Sequence, residues 1–475
     1  MGGLGPSISN VCCTAVSDEY DLAVIGAGSA GLSAAGFAVR LGARTALVEA
    51  ERIGGDCTWT GCVPSKALLH AGRIAHEMRT AGLYGLPSCE RGIDLRAVLI
   101  AVREAVARVY ELESPERLRA AGVEVRLGAA RFIDPHTVEV EGEGRLRAKH
   151  FLLCTGARPS LPAVPGLEAV PHLTYRDVWD LTELPRRLAV LGGGPTGCEL
   201  GQAFQRLGSQ VTLLEAAEHL LPGTEPAAGE LLGEVFASEG MDVRPATTVL
   251  SAAFAPGGVR LSSTAGEIET DKLLVAAGRT PFTAGLDLDR AGVELTGAAV
   301  KVNGKLQTSQ PHIYAAGDVT GSFQFTHYAG WQAFQAVRNM LLPGGVHGTR
   351  AAVPWAVFTD PEVAQVGELR GSCTEWPVAR VDRAQTTGRR SGLMRVYLDG
   401  RGRINGALIC LEAAAELINE LSLAMQTGTR WAELAGAIHT YPSYGIALQQ
   451  LAAQDAAVAV TSGLRGRLLT RLAKR

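Results

Sequence analysis

The stretch DLAVIGAGSAGLSAAGFAVRLGARTALVEA, residues 21–50, decides the fold. Its short apolar run Leu22–Ile25 predicts a buried parallel strand. Gly26, Gly28 and Gly31 follow in the pattern Gly-x-Gly-x-x-Gly. In this pattern the first glycine permits a tight turn, the second lets a pyrophosphate approach the backbone, and the third lets helix and strand pack closely.

The residues after the glycines complete a nucleotide-binding unit. A helical pattern runs from about Ser29 to Leu41, and a second apolar run, Thr45–Val48, ends at Glu49. The helix N-terminus would present free N–H groups to phosphate charge, and Glu49 would accept hydrogen bonds from a ribose hydroxyl. A lone glycine pattern is weak evidence in a chain with 57 glycines. Here the strand, helix and acid all stand where the mechanism needs them, which predicts a Rossmann-like unit.

The same unit recurs in RLAVLGGGPTGCELGQAFQRLGSQVTLLEA, residues 187–216. Gly192, Gly194 and Gly197 repeat the spacing, and Glu215 closes the second strand. The interval from the first glycine to the closing acid is 23 positions in both units. Two units predict two dinucleotides, one of them flavin adenine dinucleotide (FAD) and the other a nicotinamide nucleotide. The glycines do not say which unit binds which.

Glu215 bears on the choice of nicotinamide nucleotide. A carboxylate at that position suits the free ribose 2′-hydroxyl of NADH and repels a 2′-phosphate. The next four residues, 216–219, contain no arginine. We therefore expect NADH rather than NADPH.

A cysteine pair lies between the two units, in GGDCTWTGCVPSKALLHAG, residues 54–72. Four residues separate Cys57 from Cys62. Pro64 suits a first helical position, and Ser65–His70 continues as helix. The pattern therefore places Cys62 at a helix N-terminus, where the dipole stabilises a thiolate.

Lys66 would add a positive charge on the same helical face, four residues after Cys62. Two other interpretations are a pair of buried cysteines beside a helix cap and a metal-binding pair. No second Cys or His pair stands nearby to complete a tetrahedral metal site, so no metal is predicted. The position just after a flavin-type nucleotide unit favours a redox-active dithiol.

The composition excludes several classes of protein. The 475 residues suggest two to four domains, and a formal net charge of -3 gives no basic surface for nucleic acid. The nine cysteines lack the regular spacing of a secreted disulfide scaffold. Neither a signal peptide nor a long apolar run is apparent, so we expect a cytoplasmic protein without a membrane span.

Taken together, these segments resemble the class I pyridine nucleotide-disulfide oxidoreductases, which include dihydrolipoamide dehydrogenase, glutathione reductase and mercuric reductase. GGDCTWTGCVPSK is similar to the redox-active disulfide motif of that family. Further matching segments occur in the family's order: CTGARP at 154–159, AAGRTP at 276–281, YAAGD at 314–318 and VFTDPEVAQVG at 357–367. The resemblance implies an α/β fold with two Rossmann-like domains and an α+β C-terminal dimerisation domain.

The resemblance also implies a division of the chain. The expected parts are a disordered tail at 1–18, an FAD-binding domain at 19–160 and 281–345, a nicotinamide-binding domain at 161–280, a dimerisation domain at 350–460 and a basic tail at 461–475. The basic tail has leucines at helical spacing, which allows contact with an anionic membrane, but a short solvated helix is favoured.

The family's binding residues carry over by position. Those implied for FAD are Gly26, Gly28, Gly31, Glu49, Lys66, Ala130, Thr155, Gly156, Gly317, Asp318 and His327. Those implied for the nicotinamide nucleotide are Gly192, Gly194, Gly197, Glu199, Glu215, Val249 and Gly278.

The resemblance assigns roles to some of these residues. Asp318 would hold the ribitol of the flavin, and backbone near His327 would face its ring. Lys66, paired with Glu199, would lie near the reactive nitrogen of the ring.

The resemblance further implies a path for electrons. They would pass from NADH through the flavin to a Cys57–Cys62 disulfide, with Cys62 against the flavin and Cys57 meeting the acceptor. Family members are homodimers in which the C-terminal domain closes the active site of the partner.

One segment departs from the family pattern. The disulfide reductases carry His-Pro-x-x-x-x-Glu, which supplies a general acid and its orienting carboxylate. In HTYPSYGIALQQLA, residues 439–452, Tyr441 stands in the place of that histidine and Ile446 in the place of the glutamate. Tyrosine is a poor proton donor near neutral pH. His439 stands two positions too early, so Tyr441 and His439 are kept as catalytic candidates, and local packing is favoured for His439.

These observations favour a mercuric-reductase-like enzyme that reduces a small acceptor: a metal ion, a quinone or a thiol compound. Three alternatives remain open. They are a dihydrolipoamide dehydrogenase, a membrane-associated NADH–quinone electron-transfer protein and a non-catalytic flavin-binding scaffold.

Overall fold

The computed structural model describes residues 19–89 and 92–462 of the chain. The predicted tail at 1–18 and residues 463–475 of the predicted basic tail lie outside the described residues.

The helices of the described residues are α1 Ser29–Arg40, α2 Gly55–Trp59, α3 Cys62–Thr80, α4 Leu95–Tyr110, α5 Pro115–Ala120, α6 Pro195–Leu207, α7 Pro226–Ser238, α8 Thr326–Leu341, α9 Asp382–Thr387, α10 Ala414–Thr427, α11 Trp431–Leu434 and α12 Ile446–Thr461.

The strands are β1 Glu19–Ile25, β2 Thr45–Glu49, β3 Glu124–Leu127, β4 Ala130–Asp134, β5 Thr137–Val140, β6 Gly144–Leu153, β7 Ala157–Pro159, β8 Arg187–Leu191, β9 Gln210–Leu214, β10 Asp242–Arg244, β11 Val249–Ala255, β12 Gly258–Ser263, β13 Gly266–Thr270, β14 Lys272–Val275, β15 Arg279–Pro281, β16 Leu295–Thr296, β17 Ala299–Val300, β18 Ile313–Ala315, β19 Trp355–Val357, β20 Glu362–Gly367, β21 Ser372–Pro377, β22 Leu393–Leu398 and β23 Ile404–Leu411.

The first sheet has the strand order β3-β2-β1-β6-β5-β4, and β18 also pairs with β6. Strand β1 runs parallel to both β2 and β6, so the first glycine turn emerges at the carboxyl end of a central strand. Helices α1 and α8 pack together against it through small side chains such as Ala34 and Ala333, which are fully buried. Small residues let two helices lie close over the sheet.

The second sheet, β10-β9-β8-β14, is parallel and carries the second glycine turn after β8. Its face is covered by α6, and α3 packs on the outer side of α6: Leu68, Phe204 and Val190 belong to one hydrophobic cluster. A two-stranded antiparallel link, β7 with β15, connects the beginning and the end of this region. The helix with the cysteine is therefore packed against the second nucleotide unit.

The five-stranded C-terminal sheet is antiparallel, with the order β19-β20-β23-β22-β21. Its core includes Trp431 of α11, Leu421 of α10 and Leu448 of α12, all almost completely buried. The predicted fold class, two Rossmann-like units and an α+β C-terminal region, is confirmed. No helix among the described residues combines the length and the apolar character that a membrane crossing requires.

The start of α3 corrects one sequence prediction. The helix begins at Cys62 with Gly61 as its N-cap, so Pro64 is the third helical residue and not the first. Proline is tolerated there because the first N–H groups of a helix have no partner inside the helix. Sequence reasoning also missed the short helix α2, which contains Cys57.

Candidate active site

The two glycine turns have the same backbone geometry. Gly26 has φ +101° and Gly192 has φ +113°. A Cβ atom on Gly26 would lie 2.4 Å from the carbonyl oxygen of Cys154, and one on Gly192 would lie 2.5 Å from that of Ala276. Only glycine combines this conformation with such close backbone contact.

The third glycine of each turn is the third residue of the helix that follows. A Cβ atom on Gly31 would lie 1.8 Å from the carbonyl oxygen of Gly26, and one on Gly197 would lie 1.9 Å from that of Gly192. These two glycines therefore set the distance between helix and turn.

The acids that close the two units are hydrogen-bonded to the turns. Glu49 Oε2 accepts from the N–H of Ala27 at 2.7 Å, and Glu215 Oε2 accepts from the N–H of Gly193 at 2.6 Å. A carboxylate oxygen has a second lone pair, so each acid can brace its turn and still accept from a ribose hydroxyl.

Both turns fit a dinucleotide. Helix α1 begins after Gly28 and helix α6 after Gly194, and neither cap supplies a side-chain hydrogen bond. Pro195, the first residue of α6, has no N–H, and the other N–H groups of the first turn of each helix are available to an anion. Both turns open into one continuous cleft of about 2280 Å³.

The cleft brings together most of the predicted binding residues. Those predicted for FAD that line it are Gly26, Gly28, Glu49, Lys66, Ala130, Thr155, Gly156, Gly317, Asp318 and His327. Those predicted for the nicotinamide nucleotide that line it are Gly192, Gly194, Glu199, Glu215, Val249 and Gly278. Gly31 and Gly197, in the first turns of α1 and α6, do not line it.

The two cysteines line the same cleft. Cys57 and Cys62 are both thiols and are partly buried. The pKa of Cys62 is lowered to about 6 by a hydrogen bond from Cys57, with help from Thr326 and from the charge of Lys66, while burial opposes the shift. The same hydrogen bond and burial raise the pKa of Cys57. Cys62 is therefore the thiolate of the pair near neutral pH.

Thr326 is a contact that sequence reasoning missed. Its Oγ1 lies 3.2 Å from the Sγ of Cys62, and it is the first residue of α8. The sequence hinted at a role for Thr326 only because it precedes His327, a predicted flavin-binding residue. No spacing pattern predicts that residue 326 lies beside residue 62.

Lys66 forms the ion pair that the family resemblance implies. Its Nζ lies 2.8 Å from Glu199 Oε2, and the glutamate side chain is only 8% exposed. The other oxygen, Oε1, accepts from the N–H of Phe358 at 2.9 Å. A buried carboxylate with two partners of this kind is well satisfied.

Asp318 lines the cleft three residues after the end of β18, a strand that pairs with β6 of the first sheet. Burial raises the pKa of its carboxyl group, and the guanidinium of Arg279, 2.9 Å away, opposes that shift. Arg279 is a further charged residue of the cleft that sequence reasoning did not single out.

Tyr441 and His439 do not line the cleft. Tyr441 is 67% exposed and donates to Asp382 at 3.0 Å. His439 Nε2 lies 2.9 Å from Glu420 Oε1, and its Nδ1 lies 3.1 Å from the carbonyl oxygen of Ala437. Within this chain the structure does not bring these two candidates to the thiols, and His439 packs locally.

Comparison with protein families gives two matches. Residues 20–333 match the family described as pyridine nucleotide-disulphide oxidoreductase. Residues 353–452 match the dimerisation domain of the same family.

Two kinds of enzyme stand out among the similar proteins. A mercuric reductase of Lysinibacillus sphaericus is 34% identical over 442 residues, which cover 89% of this chain and 80% of that protein. A dihydrolipoyl dehydrogenase of Thermus scotoductus is 35% identical over 457 residues, which cover 91% of this chain and 96% of that protein.

Solved structures agree with this assignment of fold. The HOCl-induced flavoprotein disulfide reductase RclA of Escherichia coli superposes with a TM-score of 0.82 at 29% identity, covering 91% of this chain and 99% of that one. A Cu(II) complex of RclA, with a TM-score of 0.81 at 28% identity, covers 90% of this chain and 98% of that one. LpdA of Mycobacterium tuberculosis gives a TM-score of 0.83 at 28% identity, covering 91% and 99%.

Proposed function

The chain belongs to the pyridine nucleotide-disulphide oxidoreductase family, and on that premise we propose that it carries electrons from NADH through Cys57 and Cys62 to a small acceptor such as a soft metal ion. The family consists of FAD-dependent enzymes that use NAD(P)H, and the dimerisation domain supports a homodimer. The proposal goes beyond the family in three respects: the electron acceptor, the preference for NADH and the role of each residue.

One observation carries the proposal. A thiol whose pKa is lowered to about 6 begins α3 inside the cleft that both glycine turns share. A thiolate is both the nucleophile and the metal-binding form of cysteine. Because Cys62 lines the same cleft as both dinucleotide turns, electrons from a bound nucleotide can be passed to this sulfur.

We assign FAD to the first glycine turn and to residues 19–160 and 281–345, and the nicotinamide nucleotide to the second turn and to residues 161–280. Residues 350–460 form the dimerisation region in this assignment. Flavin, when bound, accepts a hydride from a nicotinamide and passes an electron pair on to sulfur. The glycine turns and Asp318 would hold it, and Lys66 with Glu199 would place a charge beside it.

The protein's own groups divide the work between the two sulfurs. A hydrogen bond from Cys57, then Thr326 and Lys66, stabilise the thiolate of Cys62, while Cys57 keeps its proton because of its raised pKa. A soft metal ion binds thiolate sulfur and displaces such a proton on binding. Two electrons leave the dithiol, a Cys57–Cys62 disulfide forms, the displaced proton goes to water, and one mercuric ion is reduced to the metal.

The balance of protons favours such an acceptor over a disulfide. Reducing a disulfide to two thiols takes up protons, whereas reducing a mercuric ion to the metal takes up two electrons and no proton. The hydrogen bond to Asp382 raises the pKa of Tyr441, which makes it a still poorer donor near neutral pH. The similar mercuric reductases and the Cu(II) complex of RclA support a metal ion in this role.

An acceptor screen tests the proposal. Purified protein loaded with FAD is given NADH and, in separate assays, mercuric ion, cupric ion, a quinone or lipoamide. We expect metal-ion reduction that requires Cys57, and little turnover of lipoamide. Faster turnover of lipoamide than of every other acceptor would refute the proposed acceptor.

The preference for NADH rests on Glu215. Its carboxylate lines the cleft and is held against the second turn, where a nucleotide with a 2′-phosphate would meet negative charge. Faster reduction of the flavin by NADPH would contradict this part of the proposal.

A dihydrolipoyl dehydrogenase activity is the second candidate, and one contact favours it. His439 and Glu420 form a histidine–carboxylate pair in the dimerisation region, the arrangement that a general acid needs. If this pair serves a neighbouring active site, His439→Gln would abolish lipoamide reduction and leave flavin reduction by NADH unchanged. Equal lipoamide turnover in the wild-type protein and in His439→Gln would exclude dihydrolipoyl dehydrogenase activity through this pair.

A further inference from the structure

We propose that Phe358, between β19 and β20, is a positioning residue for Lys66, and that through Lys66 it stabilises the thiolate form of Cys62.

Phe358 contacts both members of the ion pair beside the thiols. The ammonium of Lys66 lies 4.6 Å from the centroid of the Phe358 ring, the geometry of a cation–π contact. The backbone N–H of Phe358 donates to Glu199 Oε1 at 2.9 Å, while Lys66 donates to Glu199 Oε2 at 2.8 Å. One residue therefore holds the lysine through its ring and the glutamate through its backbone.

The segment that carries Phe358 is fixed to α6 two residues further on. The N–H of Asp360 donates to Gln202 Oε1, and Gln202 Nε2 donates to the carbonyl oxygen of Asp360, both at 2.8 Å. Arg206 Nη1 lies 3.0 Å from Asp360 Oδ2. Gln202 is completely buried, so the ring of Phe358 is presented by a well-anchored segment.

A lysine in this position needs such support. Its side chain is 35% exposed, and an ion pair with that exposure holds a long flexible stem only weakly. Lys66 stands four residues after Cys62 on α3, so the direction of its ammonium decides how strongly its charge acts on the sulfur. Without the ring the ammonium can turn into the cleft, and its effect on Cys62 falls.

The groups that act on Cys62 come from several elements: Cys57 of α2, Lys66 of α3, Glu199 of α6 and Thr326 of α8. Among these groups the ring of Phe358 contacts only Lys66, and a change of side chain at position 358 leaves the backbone N–H that donates to Glu199. The effect of the ring must therefore disappear when Lys66 loses its charge, which distinguishes a positioning role from a general structural one.

The proposed function enters only through the identity of Cys62 as the reactive thiol, and alkylation measures that thiol without turnover. The full-length, FAD-loaded protein carries Cys57→Ser, and its thiols are reduced before labelling. The peptide that contains Cys62 then has one thiol. The rate of Cys62 alkylation by iodoacetamide is then followed against pH by mass spectrometry.

We expect Phe358→Leu to raise the midpoint of Cys62 alkylation by about half a pH unit, a roughly threefold loss of acidity. Phe358→Tyr should restore it, because tyrosine also offers its ring to a cation. Lys66→Met should raise the midpoint further, and adding Phe358→Leu to Lys66→Met should change nothing more. Phe323→Leu is the matched control, since Phe323 also lines the cleft and is 41% exposed, against 38% for Phe358.

An unchanged midpoint in Phe358→Leu would overturn the proposal, as would a shift of the same size in the Lys66→Met background or in Phe323→Leu. Circular dichroism melting checks that each variant folds, and Phe358→Met takes the place of the leucine variant if that one does not. If the protein reduces none of the screened acceptors but its variants show the expected alkylation midpoints, the proposed function is refuted and the positioning role of Phe358 stands.

Discussion

The two glycine turns share one geometry and differ in what packs on them. At equivalent positions, the carbonyl oxygen of Ala27 accepts from the N–H of Gly54 at 2.8 Å, and that of Gly193 accepts from the N–H of Leu221 at 2.9 Å. Gly54 is the N-cap of α2, the helix that contains Cys57. Leu221 precedes the entry to α7, which contains no cysteine.

In the assignment proposed above, this difference lets one kind of nucleotide-binding turn serve two purposes. The first turn is hydrogen-bonded to the segment that presents sulfur, so a cofactor bound there would lie next to the redox pair. The second turn is hydrogen-bonded to a segment without cysteine. A nucleotide bound there would therefore deliver electrons to the sulfurs only across the shared cleft. Substitutions in the two turns should therefore have different consequences.

The largest effect is expected from Cys57→Ser, which removes the sulfur attached to the first turn. We expect acceptor reduction to fall at least about a thousandfold, because a nucleophile is lost outright. Flavin reduction by NADH should persist, and the thiolate of Cys62 should leave a charge-transfer absorption band with the flavin. Cys373→Ser is the control, because it removes an exposed thiol on the five-stranded C-terminal sheet. Loss of the band with flavin still bound would refute the assigned roles of the two cysteines.

Alanine at the third glycine of each turn should separate the two cofactors. Gly31→Ala should cost about 3 kcal/mol and yield protein without flavin, because its Cβ would lie 1.8 Å from a carbonyl oxygen. Gly197→Ala should keep the flavin and lose its reduction by NADH.

Two other glycines on the same helices serve as controls for this pair. A Cβ on Gly36 would meet nothing within 4 Å, and one on Gly201 would make only ordinary contacts, at 3.8 Å or more. If Gly197→Ala loses flavin while Gly31→Ala retains it, the assignment of the two turns must be exchanged.

A smaller effect is expected at the acids. Glu215→Gln should reduce the preference for NADH over NADPH about tenfold, since a charge that repels a phosphate is removed. Stopped-flow reduction of the flavin by each nucleotide gives the ratio. Glu49→Gln, the equivalent change in the first unit, should leave that ratio unaltered, and an equal change in both variants would contradict the assignment.

The smallest effect is the pH dependence of thiol labelling. With a pKa of about 6, Cys62 reacts as thiolate above that pH, so its labelling rate should fall about twofold from pH 7 to pH 6 and steeply below. Cys198, in the helix after the second turn, is fully buried with a raised pKa and should stay unlabelled. Mass spectrometry of the labelled peptides checks both, and constant labelling of Cys62 across this range would contradict its lowered pKa.

The sequence predicted those parts of the site that depend on short-range spacing. Both glycine turns, their closing acids and the helix that follows Cys62 lie within stretches whose residue types and intervals indicate their structure. The family resemblance extended this to the ion pair of Lys66 with Glu199, 133 positions apart. Thr326 and Phe358 escaped prediction because no interval links them to Cys62 or Glu199, which stand 264 and 159 positions away.

The sequence by itself determined the class of the protein: two dinucleotide turns, a cysteine pair between them and a C-terminal segment in which Tyr441 replaces an acid–base histidine. The helix start and Lys66 predicted a thiolate at Cys62, but only the tertiary structure showed that the pKa of Cys57 is raised while that of Cys62 is lowered. A thiol pKa depends on burial and on the hydrogen bonds and charges around the sulfur. Only packing brings Thr326 of α8 beside Cys62 and buries Cys57 next to it, so the folded chain sets the pKa values of the two thiols apart.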